Sequence, residues 1–86
     1  VAPSRGLGDV YKRQKLYNDN KIGLKIKLER VKRSLSQEQL AELADLSRPT
    51  IGAIERGQKS PTFITLEAIA AAFGMSVQEL CNFDNL

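Results

Sequence analysis

The stretch Ser36–Lys59, SQEQLAELADLSRPTIGAIERGQK, most constrains what this chain can fold into. Ser36 followed three residues later by Gln39 is a capping-box pattern and predicts a helix start. Leu40, Ala41, Leu43 and Ala44 give that helix an apolar side. Asp45 marks a corner, because its short side chain tolerates left-handed backbone better than most. Ser47 predicts a second cap, with Pro49 in the first turn, where a missing N–H costs little. Ile51 and Ile54 point inward, and Gly57 ends the helix as a left-handed cap. Two short helices therefore meet at a tight corner, with Arg48 and Thr50 at the exposed start of the second.

Helical patterning continues on both sides of this unit. Asn20 is placed to cap a helix from about Lys21 to Arg33. Leu24, Leu28, Val31 and Leu35 form one apolar stripe on it, and Ile22 and Ile26 lie on another side. Such a helix either packs on two faces or leaves one face for a partner. Ser34 breaks the run. Pro61 and Thr62 open a fourth helix with Leu66, Ile69, Ala70 and Phe73 inward and Gly74 as its stop. Ser76 caps a fifth that carries Val77, Leu80 and Cys81, and Phe83 and Leu86 trail from it as core or dimer contacts. No strand pattern and no internal repeat interrupts this series, so the expected class is all-α.

The 86 residues suit one small domain, expected over 21–86. Residues 15–20 read as a polar lead-in. Residues 1–14, VAPSRGLGDVYKRQ, have no helical period; they read as disordered and resemble translated sequencing-adapter sequence, so they are set aside from fold reasoning. With Cys81 alone, no intramolecular disulfide is expected. No apolar run approaches the roughly 18 residues of a membrane helix. The expectation is a cytoplasmic protein without membrane attachment.

Charge is distributed unevenly. Lys21 to Lys59 holds nine basic and five acidic residues, whereas Ser60 to Leu86 holds only Glu67, Glu79 and Asp84 and no basic residue. One end is built to face an anion and the other is not. Lys21, Lys25, Lys27, Lys32 and Arg33 form either a phosphate-facing strip or a solvated helix face. There is no histidine, no metal-ligand cluster, no phosphate-cradling glycine loop and no nucleophile beside a base, so neither an enzyme nor a bound metal or cofactor is expected. Cys81 reads as a small core or interface residue, not a redox sensor.

Spacing carries the rest. Gln37, Ala41, Asp45, Ile51 and Ile54 provide what two steeply crossed helices need: a small residue at the contact, a sharp turn and branched residues that lock the second helix. At these positions, in LSQEQLA and in the IERG ending, the chain resembles the Cro/repressor-type (XRE) helix-turn-helix family from about Lys21 to Leu80. The resemblance implies a compact five-helix, lambda-repressor-like domain and DNA-binding regulation. It gives Gln37 a phosphate contact at a helix N-terminus. It sets Arg48 and Thr50 against base edges, where arginine is the usual reader of guanine, and Arg56 and Lys59 against the sugar-phosphate backbone. It makes Arg30 and Glu55 a partly buried structural ion pair.

Three departures from the family pattern bear on function. Ser34 and Asp45 stand where glycine is frequent. Pro49 stands where a glutamine or serine often reads a base, and offers only contact with a thymine methyl. Gly52 and Ala53, expected on the groove-facing side, add small apolar surface, so direct readout rests on Arg48, Thr50 and Gln58. The leading expectation is a transcriptional regulator, by default a repressor, bound as a homodimer to double-stranded DNA through the helix Arg48–Arg56. The alternative is an antitoxin-like module whose main task is to bind a protein partner, with DNA binding secondary.

Overall fold

The computed structural model describes residues 21–84, which fold into five helices. They are α1 over 21–32, α2 Gln37–Ala44, α3 Arg48–Glu55, α4 Phe63–Phe73 and α5 Val77–Leu80. The expectations for 1–14 and 15–20, the Asn20 cap and Leu86 lie outside the described residues.

Helix starts are written locally. Ser36, Ser47, Thr62 and Ser76 are the N-caps of α2 to α5, and each side chain accepts the N–H of the residue three positions on. At Ser36 and Ser76 the capping box closes, with Gln39 and Glu79 reaching back to the cap N–H. Helix ends share a geometry too. After α1, Ser34 N–H bonds Val31 O and Leu35 N–H bonds Arg30 O; after α2, Asp45 and Leu46 bond Glu42 and Ala41 in the same way. Gly57 and Gly74 repeat the pattern after α3 and α4. All four terminating residues are left-handed, and Ser34 and Asp45 hold φ of 57° without being glycine.

α2 packs on both α3 and α4, and α5 closes against α4. Ile26, Leu40, Ile51, Ile54, Ile69 and Leu80 are fully buried between them. α1 resolves the choice left by its two stripes: Ile22 and Ile26 face the core, and Leu24, Leu28 and Val31 face outward. Leu43, expected on the apolar side of α2, is exposed. Leu40, Ala41 and Ala44 already span the buried arc of this two-turn helix, and Leu43 falls about 60° outside it. Leu35, Phe83 and Cys81 are half-buried against the core, and burial pushes the Cys81 thiol pKa up, which keeps it in the unreactive protonated form.

Gly23 marks the tightest joint. It is buried where α1 meets the end of α3, and a Cβ there would collide with the carbonyl oxygen of Ile54 and stand 2.9 Å from that of Glu55. Both obstacles are backbone, so no side chain can swing aside. Alanine is the better helix former by about 1 kcal/mol, yet Gly23→Ala is expected to lower stability by about 1–3 kcal/mol through overpacking. Urea unfolding followed by circular dichroism checks the sign. A variant as stable as the parent would mean that the two helices do not approach this closely.

Candidate nucleic-acid interface

The exposed edge of the molecule is built on α3 and the loop after it. Ser47 holds the start of α3 twice, accepting from the Thr50 N–H at 3.2 Å and sharing a hydroxyl–hydroxyl hydrogen bond with Thr50 at 2.7 Å. The Thr50 hydroxyl is therefore oriented by Ser47, a link the sequence reading missed because capping rules concern only the backbone N–H. Arg48 and Pro49 project into solvent beside it. Arg48 makes no ion pair or side-chain hydrogen bond among the described residues, so its guanidinium fork is available to a ligand.

The far end of α3 is more tightly organised. Arg30 Nε lies 2.7 Å from Glu55 Oε2, and Arg30 Nη2 donates to Glu55 Oε1 at 3.1 Å, a two-pronged contact. Gln37 Nε2 donates to the same Oε1 at 3.1 Å, and Arg30 Nη1 donates to Leu35 O at 2.8 Å. One carboxylate thus joins α1, the start of α2 and the end of α3. Gln37, expected as a phosphate contact, is half-buried with its amide tethered to this pair. Nothing in the sequence links Gln37 to a residue 18 positions away.

The sequence places Gly52 on the groove-facing side of α3. It is buried, because Arg56 folds back across it: a Cβ on Gly52 would meet Arg56 Nη1 at 2.9 Å and Gln37 Oε1 at 3.6 Å. Arg56 Nε also donates to Gln58 Oε1 at 2.9 Å. Ala53 is half-buried, whereas Arg56, Gln58 and Lys59 are exposed. Gln37, Gly52, Arg56 and Gln58 therefore form one cluster beside the exposed Arg48–Thr50 end.

The basic strip of α1 is largely turned to internal use. Glu29, absent from the sequence reading, is buried, and three cations converge on it: Arg33 at 2.6 Å, Lys25 at 3.2 Å and Lys32 at 3.5 Å. Arg33 also donates to Phe73 O at 3.1 Å and stacks 4.8 Å from the centre of the Phe73 ring. The Arg33 hydrogen bond, with Lys25 and Lys32 beside it, outweighs burial and holds the Glu29 carboxyl at a pKa of about 2.

The helical arrangement built around the corner of α2 and α3 matches known proteins. The profile of the helix-turn-helix family HTH_3 matches residues 26–80. The chain belongs to this family. Among HTH_3-like relatives, the immunity repressor protein of Bacillus phage phi105 is 43% identical over 65 residues, covering 76% of this chain and 45% of that protein. Control protein C.SmaI of Serratia marcescens is 47% identical over 47 residues, covering 55% of this chain and 56% of that protein. The chain thus spans about half the length of these two curated relatives. The crystal structure of the restriction-modification controller protein C.AhdI from Aeromonas hydrophila superposes with a TM-score of 0.73 at 33% identity, covering 74% of this chain and 97% of that one. The HTH_3 fold agrees with the all-helical architecture expected from the sequence. Among the described residues, no helix is long and apolar enough to cross a membrane.

Proposed function

We propose that this chain is a sequence-specific DNA-binding transcriptional regulator that acts as a repressor and enters the major groove with α3. The exposed start of α3 carries the reading, since Arg48 is unpaired there beside a Thr50 hydroxyl oriented by Ser47. Arginine reads guanine O6 and N7 with both prongs, and the threonine supplies either a donor or a methyl. Lys59, Arg56 and Gln58 lie after α3, where they would meet phosphates and set register. Gln37 adds a contact from the start of α2, supported through Glu55. Pro49 and Ala53 offer only apolar contact, so shape readout and a second half-site must supply the rest of the specificity. A homodimer on two half-sites about one helical turn apart meets that need. The name of the phage phi105 relative supports the repressor sense.

Selection of the full chain against a random duplex pool tests this reading. The expected winner is palindromic and is bound at least about a thousandfold more tightly than a scrambled duplex at the same salt. Equal, salt-sensitive binding to both would reduce the interaction to general attraction for phosphate and overturn the proposal. Arg48→Ala is expected to leave the helical circular dichroism intact and to weaken the selected duplex by about 1–3 kcal/mol while relaxing base preference. An unchanged preference would remove Arg48 from the readout.

A further inference from the structure

α1 carries a second apolar surface that the fold leaves open. Ile22, Ile26 and Glu29 are buried, whereas Leu24, Leu28 and Val31 on the opposite side of the same helix are 46%, 45% and 56% exposed. A single exposed leucine needs no explanation, but three in one line form a patch. With Leu35 they step by four, three and four residues, the spacing of the a and d positions in a coiled-coil seam. Leu35 is half-buried and, with Gln39, Glu42 and the exposed Leu43, lines a shallow depression where α1 passes into α2. The seam therefore continues beyond α1 into a groove.

The residues beside the seam select what covers it. In heptad terms the flanking positions on α1 are Lys25, Lys27 and Lys32, with no carboxylate among them. Lys25 and Lys32 rest on Glu29, and Lys27 is exposed with no ion pair among the described residues. A second copy of α1 in parallel would set Lys27 of one copy against Lys32 of the other, and an antiparallel copy would also place lysine against lysine. Such like-charge flanks work against pairing, whereas glutamates at the same positions would meet each of these lysines.

We infer that the outer face of α1 is a docking site for an amphipathic helix of another protein, with an apolar seam about two turns long and acidic flanks. The seam shares no residue with the set proposed to face DNA, so docking stands or falls independently of the operator reading.

The test titrates the full chain with a fluorescent peptide roughly three heptads long, carrying leucine at a and d and glutamate at e and g, and with its counterpart carrying lysine at e and g. The glutamate peptide is expected to bind and the lysine peptide not. Leu28→Ser, at an exposed position, is expected to weaken binding by at least about tenfold with unchanged helical signal. Lys27→Glu is expected to shift preference toward the lysine peptide. Failure of the glutamate peptide to bind, equal binding of both peptides, or indifference to Leu28→Ser would overturn the inference. Self-association of the chain that Leu28→Ser abolishes would assign the face to a second copy instead. Binding to phosphatidylglycerol vesicles lost in Leu28→Ser, without peptide binding, would assign it to a lipid surface, and either result also overturns the inference.

Discussion

Arg30→Met is expected to lower the unfolding free energy by about 3–5 kcal/mol, the largest effect of any single substitution considered. The Glu55 side chain is only 2% exposed, and Arg30 supplies two of its three hydrogen bonds. Methionine keeps the aliphatic length of the side chain but leaves a buried carboxylate with the Gln37 amide alone. It also removes the donor to Leu35 O, which closes the turn after α1. Urea denaturation measures the loss. The double variant Arg30→Met with Glu55→Leu is expected to recover much of it, because removing both charges removes the uncompensated one. A single-variant loss below about 1 kcal/mol would show the pair to behave as an exposed one. Loss of DNA binding in Arg30→Met should accordingly track the unfolded fraction, unlike the loss in Arg48→Ala.

The second large effect is with acid. The Glu29 carboxyl, 9% exposed, has its pKa lowered from 4.5 to about 2, chiefly by the hydrogen bond from Arg33. A folded-state value below the unfolded one means that the unfolded chain binds the proton first. The stabilisation is therefore fully present above the unfolded value, and it is lost as pH falls from about 4.5 toward 2. The shift corresponds to about 3 kcal/mol, of which roughly 2 kcal/mol is gone by about pH 3. Thermal or urea unfolding from pH 6 to pH 2.5, run beside Glu29→Gln, isolates this contribution from that of the other carboxylates. The parent is expected to lose stability more steeply than the variant, whose curve flattens by about that amount. Parallel curves would show that Glu29 carries no coupled charge.

Much of the fold was legible because its signals act over three or four residues. Ser36 with Gln39, Ser47, Ser76, Asp45, Gly57 and Gly74 each announce a helix end through their own backbone and side-chain chemistry, and each stands at the end it announces. Ile51, Ile54, Ile69, Phe73 and Leu80 were legible through periodicity. What stayed hidden depends on distant neighbours. Glu29 between Lys25 and Arg33 reads as an ordinary surface ladder until Phe73, from α4, meets Arg33 and closes over that end of α1. The two stripes of α1 are equally apolar on paper, and only the position of the other helices turns Ile26 inward and Leu28 outward. At the candidate site, Arg48 is exposed and Thr50 half-buried at the start of α3, and Gly52 is covered because a flexible arginine one turn later folds back over it. No helical wheel carries that information.

The capped starts of α2 to α5 and the closed ends of α2 to α4 have a consequence for how the chain reaches this state. Each boundary is set by groups close together in sequence, so the corner and the helices after it can form from short-range encounters at little cost in loop closure. α1 differs. Its hold on the rest is long-range throughout: Ile22 and Ile26 in the core, Arg30 and Glu55 25 residues apart, Arg33 on Phe73, and Gly23 against the end of α3. The folding transition state is therefore expected to contain the α2–α3 corner before α1 docks. Substitutions at Gly23 or Arg30 would then act mainly by speeding unfolding, leaving the folding rate almost unchanged.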